Sequence, residues 1–211
     1  AQGFEGPLLP IEGQRGFLRV TGERPDFESL TEGLGQRWEL SNNTYKPYPC
    51  GVVLNPVIEA CLALHAEAPV ALDAIERIEL RGHPLLRERT DRPAPHSGRE
   101  AQVSAQHAVI ACLSSGKAGL DQFSDSAVAE TARQGLAARL SFVDDSTFSV
   151  ESATVSLHLR DGAVRSRYVA AARGSLAAPL GDEDLERKLT DLAAWGGSGC
   201  APRPLIDALW S

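Results

Sequence analysis

The sequence predicts an α+β fold: a small antiparallel sheet with helices flanking it in two layers. Three observations predict it. Apolar residues recur at helical spacing in several segments, as at Val57, Ile58, Cys61 and Leu62. The period changes to two at Ala153, Val155, Leu157 and Leu159, which alternate with Thr154, Ser156, His158 and Arg160. Strands and helices are mixed without regular strand–helix–strand repetition, and Asp161-Gly162 marks one clear hairpin turn.

The elements follow in order. Residues 1–25 are rich in Gly and Pro (Gly3, Gly6, Pro7, Pro10, Gly13, Gly16, Pro25), the composition of a connector. Asp26 to Leu34 reads as a short helix, capped by Asp26 and stopped by Gly35. Arg37 to Leu40 is a short strand candidate, and Ser41 to Leu54 a loop dense in Asn, Pro and Tyr. Asn55-Pro56 opens a helix, with Asn as the capping residue and Pro at the first helical position, and the apolar spacing carries it to about Glu67. Asp73 to Arg81 reads as a strand with Ala74, Glu76, Ile78 and Leu80 on one face. A loop holding Pro93 and Pro95 leads to a buried helix, Ala101 to Leu113, ended by Ser114-Ser115-Gly116. Asp125 caps a helix expected over Ser126 to Leu140. The return strand of the hairpin is Ala163 to Ala171, and Gly174 to Gly181 is a linker. Asp182, Glu183 and Asp184 open a helix to Trp195, their charge suiting the helix dipole. Residues 196–199 break it, and Pro204 to Trp210 is a last helix.

Composition narrows the function. With 211 residues, 43% of them hydrophobic and 23% charged, the chain is an ordinary globular protein of one generous domain or two small ones. No apolar run reaches the roughly 20 residues that span a bilayer, and the opening residues carry no secretory pattern. The net charge of −7, with basic and acidic residues interleaved around Arg77 to Arg92, shows no nucleic-acid footprint. Neither nucleic acid nor membrane is expected as a partner. Cys50, Cys61, Cys112 and Cys200 form no CxxC pair and no zinc-ligand spacing, which points to a reducing, cytoplasmic compartment. Met is absent throughout, even at position 1. The chain is therefore expected to be a fragment, one subunit of a processed pair, or an incompletely recorded sequence.

Two stretches carry candidate chemistry. Residues 45–51 (Tyr45-Lys46-Pro47-Tyr48-Pro49-Cys50-Gly51) combine a cation, two phenols and a thiol on a backbone stiffened by proline, just ahead of a helix start that favours a carboxylate. The same residues also read as a rigid surface loop with Lys46 in water, as most loops carry no site. Ser104, Gln106 and His107 form a polar group near a helix start rich in small apolar residues. They face a cleft, or they cap the helix and fill a hydrogen-bonded core position. His65 falls on an apolar helix face and His158 on the polar face of a strand. His83, Asp91 and His96 match no ligand template, so no metal is expected. No GxSxG, GxGxxG or phosphate-binding glycine loop is present.

Residues 46–61, Lys46-Pro-Tyr-Pro-Cys-Gly-Val-Val-Leu-Asn-Pro-Val-Ile-Glu-Ala-Cys61, resemble the KPYPCG…HPxIDA signature of the MmgE/PrpD family. That family includes 2-methylcitrate dehydratase, cis-aconitate decarboxylase and iminodisuccinate epimerase. Further resemblances run in the family's order: Phe4-Glu-Gly-Pro7 with Glu12-Gly13 and Gly16-Phe17, then residues 101–107, then Gly119-Leu120 with Phe123-Ser-Asp125, then Leu185 to Leu189. The resemblance implies the second half of a longer protein. Residues 1–25 would leave a helical domain absent from this chain, 26–172 would form an α+β lid, and 173–211 would return as helices that pack on that domain. It implies cofactor-free elimination, decarboxylation or epimerisation of a small polycarboxylate, acid–base groups in the missing half or a partner chain, and a homodimer. Lys46 matches the family's active-site lysine, implying carboxylate binding or proton transfer. Tyr48, Cys50, Gly51, Asn55, Ser104, Gln106 and His107 are implied as substrate-binding positions. Cys50-Gly51 stands where some members place a histidine, and Asn55 stands where the signature has His, so acid–base chemistry at both is in question. A non-catalytic lid serving as a dimerisation or binding module is the alternative.

Overall fold

The computed structural model describes Gly6 and residues 8–133, 135–197 and 199–211. The resemblance at Phe4, Glu5 and Pro7 lies outside the described residues. Two compact units are present, Ala1–Asn43 and Thr44–Ser211.

The first unit holds one short helix, α1 (Phe17–Thr21), and one-turn 3-10 helices at Glu28–Leu30 and Glu39–Asn42. The helix expected over Asp26 to Leu34 is only that single turn. Asp26 does cap it, accepting the Glu28 N–H at 3.0 Å. No strand forms over Arg37 to Leu40. Trp38 and Leu40 are exposed, and Arg37 pairs locally with Glu39 at 2.7 Å. Two apolar residues without a neighbouring strand have no ladder to join.

The second unit contains α2 (Asn55–Glu67), β1 (Ile75–Gly82), α3 (Pro84–Thr90), α4 (Gly98–Ala101), α5 (Ala105–Ser115), α6 (Asp125–Arg133), β2 (Leu140–Asp144), β3 (Ala153–Leu159), β4 (Val164–Val169), α7 (Asp182–Trp195) and α8 (Pro202–Trp210). The strands form one sheet in the order β2-β1-β3-β4. This is the predicted α+β class, but the sheet is mixed rather than antiparallel. β1 pairs with β2 in parallel, Ile78 opposite Leu140, while β3 and β4 run antiparallel. The difference lies at residues 126–140, read from sequence as one helix. Gly135, at φ 65, turns the chain beyond α6, and β2 begins at Leu140. Parallel neighbours need a long crossover, which α3 to α6 supply.

One sheet face is covered. α2 packs on β3 and β4, and α5 packs on α2. Ile78, Leu80, Val155 and Leu157 meet Val57, Ile58, Cys61 and Leu64 there in one core. Arg165 points to the same side and donates to the Leu64 and Ala68 carbonyls, placing a cation at the α2 C-terminus. The other face carries Arg77, Glu79, Arg81, Ser156 and His158.

Three local details differ from the expectations. The ladder between β1 and β3 slips between Ile75 and Arg77, so Ile75 is buried while Glu76 and Arg77 both face solvent. The helix expected over Ala101 to Leu113 is two helices, because Ser97 and Ser104 each accept a backbone N–H, from Glu100 (3.3 Å) and His107 (3.1 Å), and start separate turns. The turn between β3 and β4 spans Arg160 to Gly162, with Gly162 at φ 87, rather than two residues. No helix among the described residues is long and apolar enough to cross a membrane.

Candidate functional site

The loop from Thr44 to Gly51 is fixed on both flanks by backbone bonds. On one side the Tyr45 N–H donates to the Gly174 carbonyl at 2.8 Å. Gly174 sits at φ +83, and a Cβ there would collide with the Tyr45 carbonyl. The close approach therefore requires glycine. On the other side the Gly51 N–H donates to the Gln102 carbonyl at 2.8 Å. That bond ties the loop to the junction between α4 and α5, close to Ser104.

Lys46 lies at the loop's exposed crest. Its carbonyl accepts a hydrogen bond from Lys188 Nζ at 2.7 Å, so α7 holds the backbone from below. Its ammonium has no carboxylate within ion-pair distance among the described residues. Tyr48 is half-buried. Burial pushes its phenol well above the ordinary range, and the Glu59 carboxylate adds to the rise. Cys50 is buried, and its thiol is pushed up to about 12 by desolvation, against the opposing charge of Lys46. It remains a thiol at neutral pH and points to Asn55 Oδ1, 3.5 Å away.

Asn55 does not cap α2 as expected. Its backbone is already helical, at φ −53 and ψ −50, because the 3-10 turn Val52–Leu54 runs directly into the helix. The capping place falls to Leu54, which lacks a side-chain acceptor. The Asn55 amide is left to receive the Cys50 thiol inside the protein.

Ser104, Gln106 and His107 are all buried, and their polar atoms are engaged by other groups of the chain. Ser104 Oγ donates to the Arg92 carbonyl at 2.6 Å. Gln106 donates to Asp91 Oδ1 at 2.6 Å and accepts the Arg92 N–H at 3.1 Å. These two hold the turn after α3. His107 turns the other way. Its ring lies 2.7 Å from the Gln122 carbonyl, 2.9 Å from Thr131 Oγ1, and against Phe123. Burial holds its pKa below the ordinary imidazole range. Cys61 and Cys112, like Cys50, are buried free thiols, and Cys200 is exposed. No cluster of three His, Cys, Asp or Glu among the described residues could hold a metal ion.

A second group supports the loop and was not singled out from sequence. The Arg173 N–H donates to Glu59 Oε1 at 2.5 Å, and its guanidinium pairs with Asp184 at 2.6 Å. That bond holds the Asp184 carboxyl below its ordinary range, while burial raises Glu59. Tyr48, Glu59, Arg167, Tyr168 and Arg173 line a cavity of about 380 Å³ between α2 and β4. The pattern had no local signal. Arg173 sits at the edge of a Gly- and Pro-punctuated linker and joins Asp184, just beyond that linker, to Glu59, more than a hundred residues away.

Residues 48–207 match the family model described as the MmgE/PrpD C-terminal domain. The chain belongs to the MmgE/PrpD family. No curated protein matches it. In MmgE/PrpD terms, the match begins at Tyr48, within the signature loop, and runs through the sheet and α7 into α8. The match thus covers the second half of the loop, from Tyr48, and the elements that brace it, while Lys46 lies just ahead of it.

Proposed function

We propose that the chain is the lid half of a cofactor-independent MmgE/PrpD lyase or isomerase acting on a small polycarboxylate, in the manner of 2-methylcitrate dehydratase. The observation that carries this reading is Lys46. It is an exposed ammonium without a carboxylate partner among the described residues, on a loop braced by Gln102, Gly174 and Lys188. Elimination, decarboxylation and epimerisation of polycarboxylates all require a cation to hold a carboxylate and a base to move a carbon-bound proton. Lys46 supplies the cation. Tyr48, Cys50, Gly51 and Asn55 shape the wall behind it. Ser104, Gln106 and His107 hold the neighbouring turn and helix.

The base comes from elsewhere. Cys50 and Tyr48 stay protonated near neutral pH because they are buried, and Asn55 has no proton to exchange. The acid–base groups are assigned to a helical half that closes over this face. The same observation favours a second reading, a non-catalytic lid that serves as a binding or dimerisation module.

Native mass spectrometry separates the two before any kinetics. Mass beyond 22.5 kDa or a simple multiple of it signals a companion half. The assembled protein is then assayed with 2-methylcitrate, cis-aconitate and iminodisuccinate. Turnover of one of them, lowered by about 100-fold or more in Lys46→Ala, is the expected result. Turnover unchanged in that variant removes Lys46 from the site. A chain that stands alone and turns over none of the three supports the second reading.

A further inference from the structure

On the uncovered face of the sheet, Glu76, Arg77, Ala138, Arg139, Leu140, Ser141 and His158 line an open surface pocket of about 590 Å³. It opens on the side of the sheet away from α2, and it involves no residue of the Lys46 loop. Three features show it to be a built corner. The slip in the β1–β3 ladder turns two successive residues, Glu76 and Arg77, outward together, where a regular strand would present only one. The Arg77 guanidinium meets the His158 ring, donating to Nε2 at 2.9 Å. Arg139 donates to the Ile75 carbonyl at 2.8 Å, and Ser141 Oγ to the Ile78 carbonyl at 3.2 Å, which anchors both to the strand that carries the slip.

The charges in this corner are not matched internally. Arg77 is shared with Glu79 at 2.9 Å. Arg139 has no carboxylate partner, and Glu76 no cationic one, within 4.0 Å among the described residues. An unpaired cation and an unpaired anion therefore line one cavity without reaching each other. A simple anion would be repelled by Glu76, and a simple cation by Arg139. A small molecule carrying both charges would satisfy both.

We propose that this corner binds a small zwitterion with the charge pattern of a free α-amino acid. Its carboxylate lies on the Arg139 and Arg77 guanidiniums, whose planar donor forks suit it. Its ammonium lies on Glu76. The His158 ring and the Ser141 hydroxyl border the space left for the side chain.

The test is a titration of the 211-residue chain followed by amide NMR, with L-alanine, L-glutamate and L-lysine as probes and propionate and propylamine as their half-charged counterparts. The expected result is saturable shifts at residues 76–77, 139–141 and 158 with at least one amino acid below roughly 10 mM, and no comparable shifts with propionate or propylamine. Arg139→Gln and Glu76→Gln should each weaken binding by about tenfold or more. The Glu76 side chain makes no hydrogen bond or ion pair among the described residues, so its variant keeps the fold even where Arg139→Gln does not. Lys46→Ala should bind the zwitterion unchanged, which separates this site from the function proposed above. Propionate binding as tightly as alanine, or tighter binding in Glu76→Gln, would reveal a plain anion site and overturn the proposal. The absence of shifts with all three amino acids would overturn it as well.

Discussion

Replacing Gly174 by Ala strikes the Lys46 loop from behind without touching Lys46. Gly174 is at φ +83, where a residue with a Cβ loses about 1–2 kcal/mol relative to glycine. The new methyl would also stand 3.0 Å from the Tyr45 carbonyl carbon and 3.2 Å from Pro47 Cδ, with the Tyr45 oxygen closer still. These are backbone and ring atoms that cannot rotate away, so the two segments must separate. The Tyr45 N–H to Gly174 carbonyl bond, 2.8 Å long, is then weakened or lost, at about 1 kcal/mol. The expected destabilisation is about 2–3 kcal/mol, a fall in Tm of roughly 4–12 °C. Gly162→Ala is the matched control. Gly162 sits at φ +87, and a methyl added there would have nothing within 4 Å, so it loses only the conformational part, about 1 kcal/mol. Urea unfolding of both variants gives the difference, and hydrogen exchange of the Tyr45 amide locates it. Equal midpoint shifts in the two variants, with Tyr45 still protected, would refute the claim that the 174 turn braces the loop.

Three further outcomes are expected. The Cys50 thiol titrates at about 12 in the folded chain and near about 8.5 when unfolded, so between these values the folded state retains a proton that the unfolded state releases. The Cys50 contribution is then constant below about pH 8.5 and lost above it, by up to about 1.4 kcal/mol per pH unit; buried Cys61 and Cys112 act in the same sense, so the part due to Cys50 is the difference in urea midpoints between the unaltered chain and Cys50→Ala at roughly pH 8 and pH 10. His107 behaves in the opposite sense. Its pKa is held low by burial, so its contribution is complete above about pH 6.5 and is lost as the pH falls, and His107→Gln should flatten that acid limb in the same unfolding assay. Iodoacetamide at neutral pH should label exposed Cys200 in the native chain and spare Cys50, Cys61 and Cys112 until denaturant is added, as peptide mass spectrometry would record.

The parts of this fold legible in the sequence are those whose signal is local. The alternation at Ala153 to Leu159 and the acidic start at Asp182 mark β3 and α7 where they occur. β2 is hidden in the sequence because Leu140, Phe142 and Val143 follow directly on an Ala-rich run that mimics helix, and a five-residue strand is specified largely by the neighbour it pairs with. α3 did announce itself. Pro84 is at its first turn, and His83 Nδ1 accepts the Leu85 N–H at 3.1 Å, but histidine is an uncommon cap and the short helix passed for loop. At the site, the signature marks Lys46 and its neighbours. It is silent about Arg173, Asp184 and Lys188, because their role depends on contacts that the chain makes only after folding back across the sheet.

The 142-residue separation between Lys46 and the lysine that holds its carbonyl has a consequence for biosynthesis. The loop leaves the ribosome long before Gly174 and Lys188 exist. At about 5–20 residues per second, it spends on the order of ten seconds or more without its brace. During that interval the core beneath can begin to form from α2, β1 and α5, while the Lys46 loop stays open to chaperones and proteases. A nascent chain arrested before residue 174 would therefore expose the Lys46 loop to cleavage that the finished protein resists. The loop is thus among the first segments made and among the last to be braced.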